Sequence, residues 1–277
     1  MMIVSFATAC GRSNASLTLP SDAQLVQRFP QNLVVGDVRM PISVASAGQL
    51  LTAESSTPDE LVARIVRIDG YRDELLVENL RATRHDANLA VPYWPFRATI
   101  TEPGFYRLVV EGGPSDGAAF QVVRRGDVKV PGIGDALPAF GTPTLADARG
   151  VDPICTRQPE PCPLHDVSLH DALALGKPVV LLVGTPAHCS TGTCAPALEA
   201  LVSAAAGSAA VFIHAEVYAD PDATQAAPVI ESLGMNYEPA LFVTDASGVV
   251  AARLTRCSTK WNLRLCWASR AERQLKL

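Results

Sequence analysis

Seven cysteines hold most of the reactive chemistry available to this 277-residue chain. Cys189 and Cys194 enclose Ser-Thr-Gly-Thr, Cys155 and Cys162 enclose six residues, Cys257 and Cys266 lie near the end, and Cys10 stands near the start. Close pairs behind an exported-looking start read as disulfides made in an oxidising compartment. Zinc calls for four ligands at Cys-x2-Cys-like spacings. Neither pair has that spacing, so no metal site is expected. An α-helix cannot bring residues five apart within disulfide reach. The 189–194 stretch must therefore be partly loop, with Gly192 free to turn and a helix starting near Thr193–Pro196. Cys194 then sits at a helix N-terminus with Cys189 just ahead of it. There the macrodipole and free N–H groups favour a thiolate, the nucleophile of disulfide exchange.

The elements that must position these thiols fall into two styles. The length suits roughly two domains of about 150 residues. With 48% hydrophobic and 18% charged residues the chain reads as globular. A net charge of −5 without a lysine or arginine run lacks the footprint of a nucleic-acid binder. No run reaches the ~18 apolar residues a membrane-spanning helix needs. Residues 17–125 carry short β-rich runs at 32–35, 61–68, 75–77, 96–100, 105–110 and 119–123. Gly36-Asp37, Asp69-Gly70, Glu102-Pro103-Gly104 and Gly112-Gly113-Pro114 punctuate them. That density predicts an all-β antiparallel sandwich. The stretch from Glu102 to Val110 resembles the turn and penultimate strand of immunoglobulin-like domains, which implies that Tyr106 is a corner tyrosine. His85, among Arg81, Arg84 and Asp86, reads as a solvated loop.

Residues 126–166 are too rich in proline and glycine for a long helix or a central strand and read as a linker. Within it a structural bridge between Cys155 and Cys162 would contribute roughly 2–3 kcal/mol by loop entropy. From residue 167 the style changes. Ser168 and Asp171 have the spacing of a helix cap, and Gly176 stops the helix. Residues 178–183 form an apolar run of the kind a doubly covered strand shows, and Leu198, Leu201, Val202 and Ala205 recur at helical spacing. A strand at 210–217, a helix at 222–233, a strand at 240–244 and a hairpin through Asp245–Gly248 to a strand at 249–254 follow.

Lys177-Pro-Val-Val-Leu-Leu-Val, Thr185-Pro-Ala-His-Cys189 and Pro239 carry a resemblance. Residues 168–254 resemble the extracytoplasmic, membrane-anchored thioredoxin-like proteins of bacteria. The resemblance implies an α/β thioredoxin-like fold for residues 167–277 and a cis bond before Pro239, which would shape a groove for a partner's extended chain. It further implies that Cys189 attacks and Cys194 resolves, in thiol–disulfide exchange with extracytoplasmic thiol or disulfide proteins and with no cofactor. Glu238 and His188 are candidate groove residues. The chain departs from the family in having four residues, not two, between the cysteines, and in lacking the family's buried acid within 178–183. Glu216 lies on the same side of its strand as His214 and reads as an edge-facing charge rather than a buried proton carrier.

Two other resemblances compete. Some peroxiredoxins share Cys-x4-Cys, but they need an arginine beside the thiolate, and none lies between Arg157 and Arg253. Sco-type copper chaperones pair two cysteines with a distant histidine, for which His214 is the candidate. A third reading leaves the bridge inert and makes the molecule an interaction module. At the start, the apolar Met1–Ala9 run before Cys10 resembles the end of a bacterial lipoprotein signal. It implies a lipid on Cys10 that anchors the protein outside the cytoplasmic membrane, with residues 1–16 as truncated signal and tether. At the other end, residues from about 255 lack the amphipathic helix expected there and read as frameshifted.

Overall fold

The computed structural model describes residues 18–255 apart from 31, 71, 88 and 191. The expectations for Cys10, for Cys257 and Cys266, and for a frameshifted tail lie outside the described residues.

Two sheets build residues 24–123. One joins β1 (Gln24–Gln27), β3 (Gly36–Ser46), β4 (Gln49–Leu50) and β7 (Trp94–Ile100). The other runs in the order β2 (Asn32–Val34), β9 (Ala118–Val123), β8 (Gly104–Val110), β5 (Glu60–Asp69), β6 (Arg72–Thr83), with only β2 and β9 parallel. The two-residue period of a strand aims alternate side chains inward. Val38, Met40, Ile42 and Val44 of β3 thereby share one core with Ile65, Leu108 and Phe120 of the other sheet. The Tyr106 hydroxyl donates to the Glu102 carbonyl at 2.8 Å, four residues upstream, so the corner read from the sequence is present. β3 was hidden by its own composition. Gly36-Asp37 opens the strand instead of ending the previous one, and Pro41 lies opposite Pro95 of β7, where neither residue can donate to the ladder.

A third sheet has the order β11 (Val211–Ala215), β10 (Val179–Val183), β12 (Ala240–Thr244), β13 (Val250–Thr255). β10 is parallel to β11 and antiparallel to β12. Every residue of β10 and β12 is buried. Val179, Leu181 and Val183 pack on the side of α1 (Leu169–Ala174) and α3 (Pro228–Leu233). Val180 and Leu182 pack on the side of α2 (Cys194–Ala205). Ser168 caps α1 as its spacing indicated, its Oγ accepting the N–H of Asp171.

The expected α/β thioredoxin-like fold for the C-terminal part is not what forms. The described residues are mostly sheet, and they hold only three α-helices, two of them six residues long. Local chemistry explains the shortfall. The Asp220 carboxylate takes the backbone N–H groups of Thr224 and Gln225, so the first half of the expected 222–233 helix is a turn and α3 begins only at Pro228. Irregular chain covers the sheet where helices are missing. Val130, Leu137 and Val151 join one face, and Cys155, Cys162 and Leu164 the other. The segment expected as a linker is therefore core material with little regular structure, a 3-10 turn at Arg125–Asp127 and a single bridge from Ala136 to Val249.

Candidate redox and metal-ligating centres

Cys189 and Cys194 form a disulfide with Cα atoms 5.9 Å apart. α2 begins at Cys194, and Gly192, at φ +63°, makes the turn that lets residues five apart meet. The two sulfurs differ. Cys189 is half-buried in the loop, whereas Cys194 is buried under α2. The Cys194 backbone N–H, at the first turn of the helix, donates to Cys189 Sγ at 3.3 Å. Glu238 Oε2 accepts the Thr185 N–H at 2.7 Å and stands 3.5 Å from Cys194 Sγ. The Glu238–Pro239 bond is cis. Pro239 is buried beside Gly184, and a Cβ placed on Gly184 would meet Pro239 Cβ at 3.1 Å and Cys194 Sγ at 3.4 Å. Of the expected groove residues, Glu238 and Pro239 thus gather at the sulfurs. His188 is exposed and turns its ring edge toward Tyr218, with centroids 6.1 Å apart.

On the same side of the sheet a second cluster forms. The expected Cys155–Cys162 bridge is not made; both are free thiols, and both are buried. They converge with two histidines. His165 follows on the irregular segment, and His214 projects from β11 with the even-numbered residues that face α2. Cys162 Sγ lies 3.3 Å from His165 Nε2, and His214 Nδ1 lies 3.3 Å from the same nitrogen. Cys155 Sγ and Cys162 Sγ are each 3.6 Å from His214 Nδ1. His214 Nε2 stands 2.8 Å from the Gly184 carbonyl. Only an N–H can face that oxygen, so in the neutral ring Nδ1 is the nitrogen whose lone pair faces the cluster.

Charges in this cluster are strongly coupled. The Cys155 thiol is driven down, first by its hydrogen bond with Cys162 and then by the histidines; the same bond and burial drive the Cys162 thiol up. Burial opposes a charge on His214, yet Cys155 and Glu216 together raise it above the ordinary imidazole value. Glu216 is buried, not edge-facing. Burial raises its carboxyl, while its Oε1 accepts the N–H and the hydroxyl of Thr156 at 2.6 and 3.0 Å. Thr156 Oγ1 in turn accepts the Ala187 N–H at 3.1 Å, tying the segment that carries Cys155 to the loop that carries Cys189.

Spacing alone missed this cluster because it weighed each cysteine pair by itself. The signal available was His165 three residues past Cys162, together with a histidine inside an otherwise apolar strand. No known protein family matches the chain, and no curated protein or solved structure is similar to it.

Proposed function

We propose that the protein exchanges thiols and disulfides with extracytoplasmic partner proteins through Cys189 and Cys194. The observation that carries this reading is the asymmetry of the two sulfurs: one half-exposed and hydrogen-bonded by a helix N-terminal N–H, the other buried beside a carboxylate. A partner thiolate reaches Cys189 Sγ, forms a new S–S bond there, and expels Cys194 as the leaving thiolate. A second partner thiol then attacks the mixed disulfide and expels Cys189. The partner leaves as a disulfide, and the pair is left as two thiols, with two electrons and two protons transferred. Glu238 is within reach of carrying a proton to or from Cys194. The N–H of Cys194 stabilises negative charge on Cys189, which makes Cys189 the attacking group in the reverse direction. Anchoring through a lipid on Cys10 belongs to the same proposal and would place the site outside the cytoplasmic membrane.

Copper delivery through this pair would need His214 as a third ligand. Both nitrogens of that ring are engaged elsewhere, with Gly184 and with the second cluster. The test of exchange is trapping. Reduced Cys194→Ser, which cannot resolve, should accumulate a mixed disulfide with a model peptide disulfide through Cys189. Cys189→Ser should accumulate at least about tenfold less, its remaining sulfur being buried. Equal trapping by both variants would contradict the assigned roles.

A further inference from the structure

We propose that Cys155, Cys162, His165 and His214 form a closed, four-coordinate site for a zinc ion that fastens the irregular 152–165 segment to the sheet. The proposal stands on geometry and does not depend on the exchange reading. Ligand atoms about 2.0–2.3 Å from one ion at tetrahedral angles stand about 3.3–3.8 Å from each other. Four separations among the present donor atoms are 3.3, 3.3, 3.6 and 3.6 Å, and all four donors lie within 4.8 Å of one another. Two sulfurs and two imidazole nitrogens are a donor set suited to a borderline-soft divalent ion and not to calcium or magnesium.

The surroundings fit a structural ion. Exposure is 5% at Cys155, 3% at Cys162, 1% at His165 and 0% at His214, which leaves no side open for a substrate or a water. Binding holds both cysteines as thiolates and releases the cluster's acidic protons to solvent, and the two thiolates cancel the ion's charge in a dry pocket. The Gly184 carbonyl supplies the outer hydrogen bond that orients a ligating histidine. His165 Nδ1 is buried without a partner among the described residues, so that ring has no corresponding outer hydrogen bond. Three ligands come from one short stretch of irregular chain and the fourth from β11, where the Leu164 carbonyl also accepts the His214 N–H at 3.3 Å. An ion there would close the contact between a segment with no ladder bonds of its own and the strand beneath it.

The experiment uses the full chain, purified without a histidine tag and under reduction, then loaded with zinc and dialysed. Elemental analysis should find about one zinc per chain, and alkylation with mass spectrometry should find Cys155 and Cys162 protected from the reagent until a chelator is added. Cobalt(II) in place of zinc should give the intense visible bands of a tetrahedral site and a sulfur-to-metal charge-transfer band, a readout that needs no variant to fold. Cys162→Ser should lower zinc affinity by at least about tenfold, while Cys189→Ser should leave it unchanged. Retention of zinc by Cys194→Ser with no trapping through Cys189 would sink the exchange reading and leave the zinc site standing. A chain that carries no metal and bridges Cys155 to Cys162, that selects copper over zinc, or whose cobalt form is six-coordinate overturns the proposal.

Discussion

Gly184 is the residue at which the two sulfur clusters meet. Its carbonyl holds His214, and its α-carbon lies against Pro239 and Cys194. A methyl group there has nowhere to go, because Pro239 is a buried ring at the entry to β12 with no rotamer to retreat into. Gly184→Ala should therefore cost about 1–3 kcal/mol of stability in urea titration, the usual range for overpacking. A variant as stable as the parent would show that the ring yields. At this scale the sequence was half legible. Cys189, Cys194, Glu238 and Pro239 were identified from their types and order, since they lie along two short stretches. The donors of the second cluster lie up to 59 residues apart, as Cys155 and His214 do, and meet only through β11 and the irregular segment. No local pattern encodes that meeting. Glu216 was misplaced for the same reason: its partner Thr156 arrives from 60 residues away.

Elements were read best where hydrophobic period and turn chemistry agreed. β10 is an uninterrupted apolar run, β12 is apolar up to Thr244, and α1 has its serine cap, so both kinds were legible. β3 contradicted its own punctuation, and the 222–233 helix lost to an aspartate that competes for backbone N–H groups. Two single changes test how elements are held. Tyr106→Phe removes the buried bond to the Glu102 carbonyl and should cost about 0.5–1.5 kcal/mol in urea unfolding, with the β8 core otherwise intact. No cost would mean that the corner adds nothing beyond packing. Beside the start of β13, Asp135 accepts the N–H of Gly132 at 2.7 Å and that of Arg125 Nε at 2.7 Å. The Gly132 bond, ahead of the Arg125 contacts, holds its carboxyl below the ordinary aspartate value. A carboxyl depressed by folding adds stability above its unfolded pKa, about 3.9, and loses it as pH falls through the folded value. Asp135→Asn should thus be less stable than the parent at pH 7, with the gap narrowing below about pH 4. A gap independent of pH would show that charge plays no part.

For the whole molecule, the segment between the β-sandwich and the third sheet is the largest departure from expectation. Proline and glycine density correctly signalled the absence of regular structure, but it carries no information about burial. The segment packs along both faces of the third sheet, delivers two cysteines and a histidine beneath the Cys189–Cys194 loop, and reaches that loop through Thr156 and Ala187. The redox pair thus sits on a foundation made largely of irregular chain, which fits a zinc ion as its fastening. Whether the pair exchanges electrons with partners at all is decided most directly by its reduction potential. The measurement is a redox titration of the full chain in glutathione and dithiothreitol buffers, with thiols alkylated and mapped by mass spectrometry. The expected result is a reversible Cys189–Cys194 couple between about −120 and −270 mV, the span of known exchange catalysts; a bridge that stays closed below about −300 mV would mark it as structural and contradict the proposed function.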